Sequence, residues 1–81
     1  MNKIIIDLAA LHRGQAKIAK MDDYLRESKD AAGFGNHVIL TGMAPIWMYL
    51  KIAHVLHGKA MRLSYDSPST GVITVFNHNP H

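Results

Sequence analysis

Four side chains in the second half of the chain are of types that move protons or hold metal: His54, His57, Asp66 and His78. Imidazole titrates at about pH 6.5, so it exchanges protons near neutrality. His54 and His57 are three residues apart, roughly 60° around a helix, and share a face. Such a pair can chelate a divalent ion or divide acid and base work. The helix dipole also favours histidine in a last turn, whatever the function. A second group comprises Gly42, Met43, Ala44 and Pro45 with Asp66, Ser67, Ser69 and Thr70. It combines a glycine, a helix start and hydroxyls. Helix N-termini attract phosphate, and open α/β sheets bind ligands at the carboxyl ends of their strands. Asp66 beside a turn also reads as a turn cap.

Six segments must position these residues. The β-branched run 3–8 reads as a buried strand. Residues 14–32 read as an amphipathic helix with Ile18, Met21 and Leu25 on its apolar face. Its solvated face holds Lys17, Lys20, Asp23, Arg26, Glu27 and Asp30, and the glycines at 33 and 35 stop it. Residues 37–41 read as a second buried strand. Residues 43–57 read as a helix with Pro45 in its first turn and Gly58 as its C-terminal cap. That helix is apolar nearly all round, from Ile46 and Trp47 to Val55 and Leu56, which predicts burial on more than one side and a subunit interface. Residues 59–66 alternate as a half-exposed strand, and 71–77 form a last strand after the turn SPSTG. The order β-α-β-α-β-β predicts a small single-domain α/β fold over 1–81, with a mostly parallel mixed sheet that dimerises through the apolar helix.

This order separates the chemistry. A β-α-β unit returns its second strand parallel to the first. The loop 41–44 and Asp66 therefore fall at one edge of the sheet, and His57 and His78 at the other. Asp66 and His57 are expected roughly 20 Å apart, about the length of a six-residue strand. If both serve one reaction, two subunits must stack edge to edge. His12, His37 and His81 have no such companions and read as surface or loop residues.

Composition narrows the classes. With 81 residues the chain suits one small domain, for which oligomerisation is a fair expectation. It has no cysteine, which excludes disulfides, Cys-zinc sites and thiol nucleophiles. A formal charge of +3 and a pI of about 9.5 are compatible with an anionic ligand. No apolar run reaches the roughly 20 residues of a membrane span, and Asp7 interrupts the N-terminal one before any cleavage signature. The expected location is cytoplasmic.

The stretches GMAPIWMYLKIAHVLH, SYD and GVITVFNH resemble the Csx-three family of small CRISPR-associated ring nucleases. The family pattern is Gly-Arg-x-Pro-(Ile/Val)-Trp, a helix ending His-x-x-His, a Tyr-Asp pair, then Gly, a β-rich run and Ser-His. It falls here on Gly42, Pro45, Ile46, Trp47, His54, His57, Tyr65, Asp66, Gly71 and His78. The match spans about half the chain, from Val38 to His78. The departures are Met43 where the family has arginine, and Ser67-Pro68-Ser69 where a basic residue follows Tyr-Asp-Pro. Lys59 and Arg62 are the nearest basic residues, otherwise read as solvated.

The resemblance implies manganese-dependent cleavage of cyclic tetraadenylate, the second messenger of type III CRISPR defence, by homodimers. These stack head to tail around the ring into a tetramer or filament. It implies catalytic and metal-binding roles for His57, Asp66 and His78. Substrate binding falls to Gly42, Met43, Ala44, Pro45, His54 and Ser67. Two rival readings stand beside it: a sensor or sponge that binds a cyclic oligoadenylate without cutting it, and an interaction domain with no nucleotide ligand.

Overall fold

A computed structural model describes residues 2–79. Four strands form one sheet: β1 (Lys3–Asp7), β2 (His37–Thr41), β3 (Arg62–Ser67) and β4 (Gly71–Asn77). Their order across the sheet follows the chain. β1, β2 and β3 run parallel, and β4 returns antiparallel to β3. Three helices accompany them: α1 (Leu8–His12), α2 (Met21–Ala32) and α3 (Ile46–Leu56). The expected mixed α/β sheet and its element order are present; α1 is an additional short helix.

Local chemistry explains the elements. β1 is a β-branched run suited to a pleated, crowded strand. It ends because Asp7 turns the chain: its carboxylate accepts from the Ala9 N–H at 2.9 Å and caps α1. Alternation along β2 and β3 aims Val38, Leu40 and Leu63 into one core with Ile6, Leu8 and Tyr24. Met48, Ile52 and Leu56 of α3, spaced by four, complete that core and are fully buried. Each such side chain contributes about 1.5–3 kcal/mol relative to exposure.

Three local expectations change, in α2, in β3 and at Gly58. The buried stripe of α2 is Tyr24, Ser28 and Ala32, whereas Ile18 is 71% exposed and Met21 and Leu25 are half-buried. Ile18 lies in a 3-10 turn (Ile18–Lys20) ahead of α2, so its phase does not continue into the helix. The Ser28 hydroxyl satisfies itself on the Tyr24 carbonyl at 2.7 Å, which lets a polar residue occupy the inner stripe. β3 starts at Arg62 rather than at 59, and its Ser64 is buried rather than half-exposed. Within its own chain α3 buries one face, and Ile46 and Leu50, 76% and 66% exposed, lie on the face expected to meet a second subunit. Gly58, beyond the helix, does not take the left-handed conformation expected of a cap.

Candidate functional site at the two edges of the sheet

At the C-terminal edge, Thr41, Gly42, Met43, Ala44, Tyr65 and Asp66 line one cleft of about 550 Å³. The parallel register puts Leu40 beside Tyr65, so the next positions carry the loop after β2 and Asp66 to the same end. Gly42 has φ +102°, and a Cβ there would run into the Asp7 carboxylate and lie 3.0 Å from the Ala9 nitrogen. The space a side chain would fill is thus taken by the β1–α1 corner, not reserved for a ligand. Met43 is 88% exposed at the rim. No side chain caps the N-terminus of α3, where Pro45 is the N-cap. That end therefore keeps its partial positive charge for an anion.

Two residues that sequence reasoning passed over organise this edge. Tyr49 donates its hydroxyl to the Gly42 carbonyl at 2.6 Å and meets the Tyr65 ring edge-on at 5.1 Å. Burial, followed by Tyr65, Asp7 and Asp66, pushes its pKa up to about 12. The spacing held the signal: Tyr49 stands one turn beyond Pro45 and so points back over the loop. His12, expected at the surface, is half-buried and donates Nε2–H to the Met43 carbonyl at 2.8 Å. Its Nδ1 is buried without a partner among the described residues.

Other predicted residues divide as follows. Pro45 lines an adjoining groove with His12, Met43 and Ala44. Ser67 belongs to the hairpin turn, where its Oγ accepts from the Ser69 N–H at 3.2 Å.

At the opposite edge, the His57 and His78 rings meet nearly perpendicular with centroids 4.7 Å apart. Phe76 packs against both, 5.1 Å from His57 and 4.6 Å from His78. The His78 N–H donates to the Met61 carbonyl at 2.7 Å, which fixes the residue at the start of β3. His54 is exposed, and among the described residues its ring contacts neither imidazole. The structure thus joins His57 to His78 rather than to His54. Five strand steps separate Met61 from Asp66, roughly 16 Å, so Asp66 stands apart from both rings.

His37 is a second correction. It sits half-buried in β2, with Nε2 2.9 Å from the Ser64 Oγ. Burial, then Arg62 and Lys3, lowers its pKa from the ordinary 6.5. His81 lies outside the described residues.

A profile of the family described as CRISPR-associated protein (Cas_csx3) matches residues 29–81. The chain belongs to that family. Among curated proteins and solved structures, none matches it. The Cas_csx3 match takes in β2, α3, β3 and β4, and therefore both edges. It leaves out β1, α1 and most of α2, which supply Asp7 and His12. The two basic residues nearest the Cas_csx3 departures are engaged elsewhere. Lys59 lies 5.3 Å over the Phe34 ring, and Arg62 donates to the Thr74 hydroxyl at 2.8 Å. No helix among the described residues is long and apolar enough to cross a membrane.

Proposed function

We propose that this protein is a ring nuclease that cleaves cyclic tetraadenylate at a site formed between stacked subunits. Family membership places it among CRISPR-associated proteins. The observation that carries the reading is the division of the polar groups. Asp66 shares a cleft with Gly42 and Ala44 at one edge, while His57 and His78 pair at the other. Neither half is a complete site, and stacking two subunits edge to edge brings the halves together.

The C-terminal edge grips. The uncapped start of α3 and the Gly42–Ala44 loop face the ring phosphates, and Tyr49 holds the loop from behind. The histidine edge of the facing subunit cuts. One imidazole takes the proton of a 2′-hydroxyl, whose oxygen attacks the adjacent phosphorus. The P–O5′ bond breaks, and the departing oxygen takes a proton from the second imidazole. The product end is a 2′,3′-cyclic phosphate.

The donors suit a divalent ion only across the stack. Among the described residues, no group of three or more His, Asp or Glu could hold a metal within one chain. In place of the acid/base work, His57 and His78 would supply two imidazoles to the ion, and Asp66 of the partner subunit an oxygen donor of the kind manganese favours. Bound there, Mn²⁺ supplies Lewis-acid stabilisation of charge on a phosphoryl oxygen. The exposed Leu50 and half-buried Trp47 of α3 are the apolar surface left for a dimer contact.

One observation favours a second reading. Met43 at the cleft rim stands where the family has a guanidinium, and if other contacts hold the ring, the loss of that charge from the transition state fits capture without cutting. Chromatography of the nucleotide after incubation with Mn²⁺ tests both. Linear products support cleavage; intact ring recovered bound to the protein supports capture; unbound, intact ring contradicts both.

A further inference from the structure

The cleft at the C-terminal edge does not end at Met43. Met43 and Ala44 also line the adjoining groove, which they share with His12 and Gln15. His12 and Gln15 in turn line a third hollow, of about 510 Å³, beside α2. Arg13, Lys17, Lys20 and Arg26 wall this hollow. Asp23 and Glu27 are its carboxylates, so cations exceed them by two. Arg26 is committed to Asp23 at 2.7 Å. Among the described residues no ion pair engages Arg13, Lys17 or Lys20. Three cations therefore face the hollow with Glu27 as its one uncommitted carboxylate, a net excess of two.

The chain fixes their places. The Lys17 N–H donates to the hydroxyl of the buried Tyr24 at 3.1 Å, which ties this loop to the core. Arg13 ends α1 with φ 53° and ψ 53°, and its N–H donates to the Ala9 carbonyl at 2.9 Å. Glycine is the ordinary occupant of such a position, because a side chain costs about 1–2 kcal/mol in the left-handed region. Arg13 is the one non-glycine residue with positive φ among the described residues. A guanidinium kept where glycine fits better argues for a use of the guanidinium.

We propose that this basic hollow is a phosphodiester-binding stretch, continuous with the cleft, that takes backbone phosphates of an oligoribonucleotide seated at Gly42–Ala44. The class of ligand rests on the function proposed above; the hollow itself does not. Its residues lie before the family-matched stretch 29–81 and supply cations near a rim where Met43 supplies none.

Binding of fluorescent cyclic and linear tetraadenylate, measured by anisotropy in chelator across a salt series, tests this. Lys17→Gln/Lys20→Gln should weaken binding about tenfold and reduce the salt slope by about 1.4, roughly 0.7 per lost phosphate contact in a single strand. Arg13→Gly should weaken binding while leaving the melting temperature unchanged or higher, which a purely structural arginine would not do. Lys51→Gln on α3, outside the hollow, is the control. Wild type that binds the ring while the double variant binds it equally, with the same salt slope, overturns the hollow alone. Lysine-dependent binding of linear but not cyclic RNA keeps the hollow and overturns the ring reading. No binding of either RNA overturns both.

Discussion

The imidazoles of His57 and His78 meet edge to face with centroids 4.7 Å apart, at the end of β3 remote from Asp66. Two imidazoles in one place are what an acid/base pair requires. Asp66, the carboxylate that the proposed function assigns to this pair, lies at the other end of the same strand.

Gly42 leaves no room for a side chain at the C-terminal edge. Gly42→Ala puts a Cβ into the Asp7 carboxylate at a φ of +102°. We expect a loss of about 2–4 kcal/mol, from left-handed strain together with overpacking, measured by urea unfolding. A loss below about 0.5 kcal/mol would show that the β1–α1 corner yields freely.

Tyr49 should titrate late. Its folded pKa, about 12, lies above the ordinary 10, so the fold favours the neutral phenol. That contribution is fully present below pH 10 and is lost as pH rises from 10 through about 12. Ultraviolet titration of tyrosinate should show one late step, absent in Tyr49→Phe. The same variant loses the bond to the Gly42 carbonyl and should cost about 0.5–1.5 kcal/mol. An unchanged titration curve in the variant would contradict the assignment.

His37 gives the opposite pH sign. Its folded pKa is depressed by burial, Arg62 and Lys3, so the fold favours the neutral ring. Its contribution is present above pH 6.5 and is lost as pH falls through the depressed folded value. Melting temperature should fall on acidification, and less steeply in His37→Gln. Parallel curves for the two proteins would remove His37 from that account.

Much of this arrangement was legible in residue order. The strand runs, the Pro45 helix start and the hairpin place Gly42 with Asp66 and His57 with His78, because topology alone decides which edge each residue reaches. What failed was phase and partnership. Ile18, Met21 and Leu25 satisfy a helical period, yet Tyr24 and Ser28 take the inner stripe, since their hydroxyls find the Lys17 N–H and the Tyr24 carbonyl. His12 and His37 looked solitary because their partners, Met43 and Ser64, lie far along the chain. Asp7 before Leu-Ala-Ala-Leu was a readable N-cap signal for α1, hidden by the apolar strand it terminates.

The central claim is that two subunits complete one site. It is tested most directly by mixing His57→Ala, which keeps the aspartate edge, with Asp66→Ala, which keeps the histidine edge. Each variant alone should leave cyclic tetraadenylate intact in the presence of Mn²⁺. An equimolar mixture should regain a substantial fraction of wild-type cleavage, because some stacked pairs join one intact edge to the other. Two inactive variants that stay inactive when mixed, although they co-assemble, would contradict a shared site, as would either variant cleaving at the wild-type rate alone.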